Sequence, residues 1–512
     1  MPLLLCLINI LIFRCLFLFM LIQFVAFFPK VGRNATTRHD FGVQFIALFI
    51  FLVHSSQTLF MRTLLLLLLL NFSVFSQQSD SAFIRKIYNV ALSEGHAYEN
   101  LRGLCKDIGA RLSGSAEAEM AVEWSKKLFE SYGFDQVYLQ PVMVPYWKRG
   151  TTEAGWIRTS DKLLHKVNLL ALGGSIATDG TLEADVVEFK HLDELKKATR
   201  KQVENKIVFL NQPMNEQDIV TFKAYGGCYA IRGYGAVEAS KLGAKGVIIR
   251  SIGMPVDGHP HTGMMNYVDS VKKIPAAAIS TSDAEKLSAL LKTQKAQFVM
   301  KLNCQDYGMV PSYNVIAELK GTVFPNRIIT VGGHLDSWDT GEGAHDDGAG
   351  VMHSLEALRI LKQLNYKPKH TLRVVFFMNE ENGNQGGENY ARWVKDKGEE
   401  HIAAIESDRG GFAPRGFHCD GPEDKLTFLK NLEPAMRPYE LHIFEKGYGG
   451  VDISPLKKHF PGIPLFGFVP DSQRYFDFHH APSDVFENVN KRELELGCAA
   501  IASLMYFIDQ QF

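Results

Sequence analysis

The stretch RIITVGGHLDSWDTGEGAHDDGAGVMHSLEALRILKQL, residues 327–364, decides the fold. It begins with an apolar run, passes through a polar loop, and ends in a helical pattern. An apolar run without polar alternation predicts a strand that is buried on both faces. Three more such runs follow along the chain: TLRVVFFM (371–378), HIAAIES (401–407) and IPLFGF (463–468). Because strands of this kind alternate with helices, we predict an α/β fold with a mostly parallel central sheet and helices on both faces.

Polar residues that can bind metal ions follow each of these strands. They are His334 and Asp336, then Asp346 and Asp347, then Asn379, Glu380 and Glu381, then Asp408, and finally His479, His480 and Asp484. One such residue alone is usually a helix cap or a solvated loop residue. The carboxyl ends of parallel strands share one edge of the sheet, however, so these side chains would crowd one crevice. Crowded carboxylates repel one another unless a cation neutralises them, which predicts a metal site.

The residue types indicate which metal this site would bind. Histidine combined with carboxylates suits zinc in an open catalytic site. The seven cysteines of the chain form no CxxC pair, which disfavours a cysteine zinc site. A set of two histidines and at least three carboxylates exceeds the ligands of one catalytic zinc. It suits two metal ions that share one carboxylate.

Five motifs carry a resemblance to a known family: GGHLDSWD (332–339), GAHDDGAG (343–350), NEE (379–381), ESD (406–408) and FHHAPSD (478–484). In this order and spacing they resemble the co-catalytic di-zinc exopeptidases, a family of aminopeptidases and glutamate carboxypeptidases. The resemblance implies a zinc exopeptidase-like fold and a homodimer. It also implies a metallo-exopeptidase that hydrolyses small unblocked peptides, dipeptides in particular, with a water that bridges two Zn²⁺ ions per chain.

The resemblance also assigns the metal ligands, residue by residue. Asp346 would bridge both zinc ions. His334 and Asp408 would complete the ligands of one ion, and Glu381 and His480 those of the other.

Further roles follow from the same resemblance. Glu380 would be the general base for the bridging water, and Asp336 would hold the ring of His334 in one orientation and tautomer. In the family, a cis peptide bond between the two aspartates aims the bridging carboxylate. We therefore expect a cis bond between Asp346 and Asp347.

Three residues depart from the family pattern. His345 precedes the bridging aspartate where close relatives carry an apolar residue, and we expect it to perturb the metal site. Arg409 follows Asp408, and Val485 takes the place of the usual threonine after Asp484. We expect Arg409 and Val485 to alter the substrate pocket.

Residues 172–311 differ in sequence pattern from the rest of the chain. Short β-rich runs such as KIVFL (206–210) and GVIIR (246–250) flank a helix that ends at a glycine. This pattern predicts an inserted α/β module, and the module resembles a protease-associated domain. The catalytic domain would then consist of a first part, 77–171, and a second part, 312–512.

The N-terminus carries two apolar segments. Residues 1–60 form an apolar extension in which 3–28 is long enough to span a bilayer. From Met61, the sequence MRTLLLLLLLNFSVFSQQ has the layout of a secretory signal peptide over 61–76. Either translation begins at Met61, or residues 1–60 are retained and contact a membrane. Both alternatives send the rest of the chain, from about Gln77, into the secretory pathway, as a secreted or a lysosomal protein.

Composition and missing motifs argue against other classes. Lys+Arg (55) nearly balance Asp+Glu (56), so no overall charge favours nucleic acid. Neither GxSxG nor HExxH occurs, which disfavours a serine hydrolase and a helix-borne one-zinc protease. A non-catalytic receptor or binding protein on the same scaffold, a one-zinc acyltransferase similar to glutaminyl cyclase, and an aminopeptidase in place of a carboxypeptidase stay open as alternatives. The complete set of ligands and the base disfavour the first two of these.

Overall fold

The four apolar runs form neighbouring strands in the computed structural model, which describes residues 80–512. The predictions for the extension 1–60, the signal peptide 61–76 and a mature start near Gln77 lie outside the described residues. Within residues 80–512, no helix is both long enough and apolar enough to cross a membrane.

Two eight-stranded sheets are built from the strands of residues 80–512. In chain order the strands are β1 (Gln136–Lys148), β2 (Glu153–Arg158), β3 (Leu164–Val167), β4 (Leu169–Ala171), β5 (Leu182–Phe189), β6 (Ile207–Leu210), β7 (Gly246–Arg250), β8 (Ala276–Ile279), β9 (Gln297–Leu302), β10 (Gln305–Leu319), β11 (Phe324–His334), β12 (His370–Phe377), β13 (Glu400–Glu406), β14 (Pro414–Asp420), β15 (Ile443–Lys446) and β16 (Leu465–Pro470).

Helices cover and connect these sheets. In chain order they are α1 (80–94), α2 (Ala97–Gly103), α3 (Ala116–Ser131), α4 (Leu192–Lys197), α5 (Arg200–Val203), α6 (Thr221–Lys241), α7 (Thr281–Leu291), α8 (Ala349–Gln363), α9 (Gln385–Asp396), α10 (Glu423–Asn431), α11 (Glu433–Met436), α12 (Tyr475–Phe478) and α13 (Lys491–Gln511). Shorter π and 3₁₀ turns occupy Leu104–Ile108, Ala344–Gly348, Arg437–Tyr439, Ser454–Lys458 and Phe486–Asn488.

The first sheet has the strand order β1-β10-β12-β11-β13-β16-β14-β15. Its centre, β12-β11-β13-β16, is parallel throughout, so the predicted α/β class and parallel central sheet are confirmed. The flanks are mixed, because β10 runs antiparallel to β1 and β12, and β14 runs antiparallel to β16. The antiparallel strands were not predicted.

Both faces of the first sheet are buried, as the unbroken apolar runs require. Alternate residues of β12 point to opposite layers: Val374 and Phe376 pack in one hydrophobic cluster, and Val375 and Phe377 in another. A fully buried side chain of this size stabilises the fold by about 1.5–3 kcal/mol relative to an exposed one. The strands are thus fixed in register, and their carboxyl ends come to lie together.

The helix α8 follows the polar loop of the opening stretch and is buried on every side from Ala349 to Leu361. One side contacts β11 and β12, and α13 packs against the helix as well. The start of α13 is fixed by Asn490, whose side chain accepts hydrogen bonds from the backbone N–H groups of Arg492 and Glu493. The loop before α8 is therefore anchored to a buried helix.

The second sheet has the order β3-β2-β9-β5-β6-β7-β8-β4 and lies within residues 153–302. Its strands β5 to β8 are parallel, and the others pair antiparallel. The strands β2, β3 and β4 lie upstream of the predicted boundary at 172. The assignment of 172–311 to a separate inserted domain stays a prediction.

A buried histidine in α8 allows a test of this packing. His353 is fully buried, lies 2.9 Å from Ser407 Oγ through Nδ1, and packs against Gly497 of α13. Burial lowers the pKa of His353 to about 3, from an ordinary value of 6.5. Between these two pH values the unfolded chain binds a proton that the folded chain does not, so this contribution to stability is complete above pH 6.5 and is lost as the pH falls.

We therefore predict that the stability advantage of the wild type over His353→Gln shrinks by about 1.4 kcal/mol per pH unit below pH 6.5. Urea unfolding of both proteins at pH 7.0 and 5.5, with zinc present, measures this difference. Glutamine does not titrate, so groups that titrate in both proteins cancel. An advantage of equal size at both pH values would contradict the buried, neutral state of His353.

Candidate metal centre

The predicted metal ligands meet at the carboxyl edge of the first sheet. His334 is the last residue of β11, and Asp408 follows β13. Glu381 follows β12, and His480 follows β16 and the short helix α12. Asp346 comes from the turn before α8. The five side chains come from five different segments of the chain, and the strand order β12-β11-β13-β16 brings these segments together.

The carboxylate of Asp346 lies between two imidazoles. Its Oδ1 is 3.2 Å from Nε2 of His334, and its Oδ2 is 3.3 Å from Nε2 of His480. On one side, His334 Nε2 is 3.6 Å from Asp408 Oδ1. On the other side, His480 Nε2 is 3.1 Å from Glu381 Oε2. Two groups of possible ligands therefore share Asp346, in the pairing that the resemblance implies.

His479 lies beside the second group and could be taken for a ligand. Its ring stacks on that of His480 at 3.5 Å between centroids, and its Nε2 is 3.8 Å from Asp346 Oδ2. His480 is closer to Asp346 and also approaches Glu381. The geometry thus favours His480 over His479, as the motif does.

Several buried nitrogen and oxygen atoms of the site have no hydrogen-bond partner. His334 Nε2, Asp346 Oδ2, Glu381 Oε1 and Asp408 Oδ1 are buried and have no hydrogen-bond partner. Burial, together with neighbouring carboxylates such as Asp346, raises the pKa of Glu381 to about 7. Burial also raises the pKa of Glu380 well above its ordinary value. Unpartnered nitrogen and oxygen atoms around crowded carboxylates are the donor set that zinc ions bind.

Asp336 contacts both the ring of His334 and the loop after β12, the first through its backbone and the second through its carboxylate. The Nδ1 atom of His334 is 2.8 Å from the main-chain oxygen of Asp336 and 3.8 Å from its carboxylate. The Asp336 carboxylate instead accepts hydrogen bonds from the backbone N–H groups of Asn379 (2.7 Å) and Glu380 (3.1 Å). Asn379 has a φ of +75°, a left-handed conformation that asparagine adopts more readily than most residues. Asp336 therefore positions Glu380, while its backbone orients His334.

The turn that carries Asp346 is held by two carboxylates. The peptide bond between Asp346 and Asp347 is cis, as predicted. Asp347 accepts hydrogen bonds from the backbone N–H groups of His334 (3.1 Å) and Gly350 (2.9 Å). Asp484 accepts them from His345 (2.7 Å) and Asp346 (3.1 Å). Both carboxylates thus fix the backbone that aims Asp346.

Arg111 completes this support, and no sequence motif points to it. The residue is fully buried and donates hydrogen bonds to the main-chain oxygens of Leu335 (2.5 Å), Glu342 (2.6 Å) and Gly343 (3.0 Å). It joins the loop after β11 to the turn before α8. A single arginine is not part of a repeated or spaced motif, so the sequence alone does not indicate this role.

The side chain of His345 points away from the metal ligands. The expected perturbation of the metal site would therefore not arise from a direct contact of its ring with a ligand. Its ring stacks on Phe412 (4.3 Å between centroids) and Phe478 (5.1 Å). Its Nδ1 accepts a hydrogen bond from the backbone N–H of Gly411 at 3.2 Å, and its Nε2 lies 3.3 Å from the main-chain oxygen of Asn488. Burial lowers the pKa of His345 to about 4, so the ring is neutral.

A cavity of about 510 Å³ opens onto the ligands. One wall comes from α6, which contributes Phe222, Tyr225, Tyr229 and Arg232. The helix α6, which connects β6 and β7, therefore reaches the metal centre. The contact is direct, since His480 Nδ1 lies 3.4 Å from Arg232 Nη1.

Comparison with known proteins defines the class: the protein is a zinc metallo-exopeptidase. Residues 314–505 match peptidase family M28. Carboxypeptidase Q of Bos taurus is 33% identical over 418 residues, which cover 81% of this chain and 86% of that protein. Carboxypeptidase Q of Homo sapiens is 33% identical over 429 residues, 83% of this chain and 88% of that protein. The chain belongs to peptidase family M28.

Solved structures agree with this assignment. A peptidase M28 precursor from Shewanella amazonensis has a TM-score of 0.81 and 35% identity, and the match covers 85% of this chain and 97% of that one. A zinc aminopeptidase from Bacillus subtilis has a TM-score of 0.58 and 20% identity, over 81% of this chain and 95% of that one. The second likeness shows the shared fold alone.

The position of His345 leads to a prediction about stability and metal binding. In His345→Phe the ring can keep its place against Phe412 and Phe478, but the buried N–H of Gly411 loses its acceptor. A buried donor without a partner costs about 1–3 kcal/mol, so the free energy of unfolding should fall by that amount. Zinc content and kcat should stay at the wild-type level. Loss of zinc with unchanged stability would show that His345 acts on the metal site after all.

Proposed function

We propose that this protein is a di-zinc exopeptidase that hydrolyses small unblocked peptides, dipeptides in particular. The observation that carries the proposal is the carboxylate of Asp346, whose two oxygens face His334 at 3.2 Å and His480 at 3.3 Å. A carboxylate in this position can serve two ions at once, which a one-zinc site does not need.

The donor set around Asp346 fits two zinc ions. His334 and Asp408 would hold one ion with Asp346, and Glu381 and His480 would hold the other. The unpartnered atoms His334 Nε2, Glu381 Oε1 and Asp408 Oδ1 support this assignment, because each is buried with a free lone pair or acceptor site. When bound, the two ions would lower the pKa of an attacking water and polarise the carbonyl group of the scissile peptide bond.

We assign the proton transfer to Glu380. It lines the cavity, its backbone N–H donates to the carboxylate of Asp336 at 3.1 Å, and its side-chain carboxylate forms no hydrogen bond with any of the five proposed ligands. As general base it would take the proton from the attacking water, and it would then return that proton to the nitrogen of the leaving amine. The adjacent Glu381 faces His480 instead, at 3.1 Å, so the two glutamates differ in position.

The size and the wall of the cavity favour a small substrate. A volume of about 510 Å³ is that of a site for a small molecule and admits a dipeptide more readily than a folded chain. Tyr225, Tyr229, Tyr448 and Tyr475 supply aromatic surface around the metal ligands. The relatives named carboxypeptidase Q support cleavage at a carboxyl-terminal residue.

We also propose that the protein is a homodimer that enters the secretory pathway, as the sequence resemblance and the signal-like segment from Met61 suggest. N-terminal sequencing of protein from its native source should begin near Gln77, and sedimentation velocity should give twice the mass of one mature chain. Peptides from residues 1–60 in the mature protein would contradict the first expectation, and a monomer at micromolar concentration would contradict the second.

The two adjacent glutamates give the sharpest test of the reaction. Glu380→Gln should keep its zinc and lose kcat by about 10²–10⁴-fold, because it removes the base but no ligand. Glu381→Gln should instead weaken the binding of one zinc ion, and excess zinc should restore part of its activity.

Zinc per chain and kcat on a dipeptide, measured for both variants, decide between these roles. Each variant is the matched control of the other, since the two residues are neighbours with the same side chain. If Glu380→Gln loses a zinc ion while Glu381→Gln keeps its full content, the assignment is reversed.

A further inference from the structure

One cation in the wall of the cavity has no role in the mechanism proposed above. Arg409 follows the ligand Asp408 at the end of β13, and it lines the same cavity as Glu380. Among residues 80–512, no carboxylate oxygen lies within 4.0 Å of its guanidinium nitrogens. Arg415, six residues further along the chain, forms an ion pair with Asp471 at 3.2 Å. Asp408 and Glu406 act on the charge of Arg409 but form no ion pair with it, so its guanidinium nitrogens can bind an anionic ligand.

The guanidinium of Arg409 is nevertheless held in a defined place. It stacks over the ring of Phe222 at 5.0 Å, and its Nη1 lies 3.4 Å from Nδ1 of His418. Burial, and then the charge of Arg409, lower the pKa of His418, so its ring is neutral and can accept this hydrogen bond. The opposite nitrogen, Nε2, faces Glu445 at 3.5 Å, which favours the tautomer with Nδ1 as acceptor. One N–H group of Arg409 thus donates to the protein, and its other N–H groups can donate to a ligand in the cavity.

The other arginine in the wall is already engaged. Arg232 donates to Tyr225 Oη at 2.5 Å and lies 3.4 Å from the main-chain oxygen of Thr262. It stacks over Tyr225 and Tyr229 and touches His480. Its position supports the metal centre, which leaves Arg409 as the cation available to a ligand.

The remaining charges of the cavity select the kind of ligand group. Glu380, Glu406 and Asp408 line the same space, and their charges would disfavour an anion on the protein wall away from the arginines. A guanidinium matches a carboxylate with two parallel hydrogen bonds. We propose that Arg409 binds a carboxylate of the peptide substrate, an inference that rests on the proposed peptidase function. The carboxylate is either the free C-terminus, which would make the enzyme a carboxypeptidase or dipeptidase, or an acidic side chain.

The test compares Arg409→Gln with wild type on two pairs of substrates: Ala-Ala with Ala-Ala-amide, and Ala-Glu with Ala-Gln. If the C-terminus is bound, kcat/KM for Ala-Ala should fall roughly 10–100-fold, mainly through KM, while that for the amide changes little. If an acidic side chain is bound, the preference for Ala-Glu over Ala-Gln should vanish and the acid-to-amide preference should survive. Arg409→Lys should retain part of the preference, because it keeps the charge but not the planar fork.

Two controls separate binding from a structural effect. Arg415→Gln, which removes an arginine from β14 outside the cavity, should behave as wild type. Zinc content should be unchanged in Arg409→Gln. An equal loss of kcat/KM on all four substrates, with or without loss of zinc, would overturn the inference, because Arg409 would then support Asp408 and not the substrate.

A binding measurement distinguishes failure of this inference from failure of the proposed function. Calorimetry on Glu380→Gln, with zinc bound, should show tighter binding of Ala-Ala or Ala-Glu than of the matching amide. Addition of Arg409→Gln to that variant should abolish the difference. If the wild type cleaves none of the four peptides but this preference is present, the peptidase proposal fails and the role of Arg409 stands. A preference that survives the second substitution overturns the inference.

Discussion

The carboxylate of Asp346, whose two oxygens each face a different imidazole, is the constraint on which the rest of the site depends. Its oxygens must reach His334 and His480 at the same time, at 3.2 and 3.3 Å, from a turn that leads directly into a helix. The peptide bond between Asp346 and Asp347 in this turn is cis, and Asp347, Asp484 and Arg111 hold the surrounding backbone by hydrogen bonds. Many of the buried polar groups near the sheet edge therefore help to orient one side chain, that of Asp346.

The electrostatics of the edge follow from the same arrangement. Carboxylates from several strand ends are buried close together, and burial raises the pKa of Glu381 and Asp484 to about 7 and that of Glu406 to about 8. Without a cation, such a set favours protonated acids and is expensive to assemble. Two divalent ions would remove that cost and keep Glu380 ionised as a base. The proposed metal binding and the proposed catalysis thus have the same electrostatic cause, which is the neutralisation of the crowded carboxylates.

Much of this could be predicted from sequence, because the signal for a buried parallel strand and the position of a polar residue after it are both local. The strands β11, β12, β13 and β16, and the convergence of His334, Asp408 and Glu381, follow from that pattern alone. Three features depend on contacts between segments that are distant in sequence, which no local pattern encodes. They are the antiparallel flanks of the first sheet, the position of α6 in the cavity wall and the hydrogen bonds of Arg111. The same limit explains Asp336, since sequence shows which residue is near His334 but not whether its backbone or its carboxylate makes the contact.

The number of zinc ions per chain in the wild type and in Asp346→Ala tests the central claim most directly. The account predicts about two ions per chain in the wild-type protein after dialysis, measured by mass spectrometry of the metal. Because Asp346 would be shared, its removal should deplete both ions together and not only one of them. A wild type that holds a single ion, or an Asp346→Ala variant that keeps one ion at full occupancy, would contradict the account.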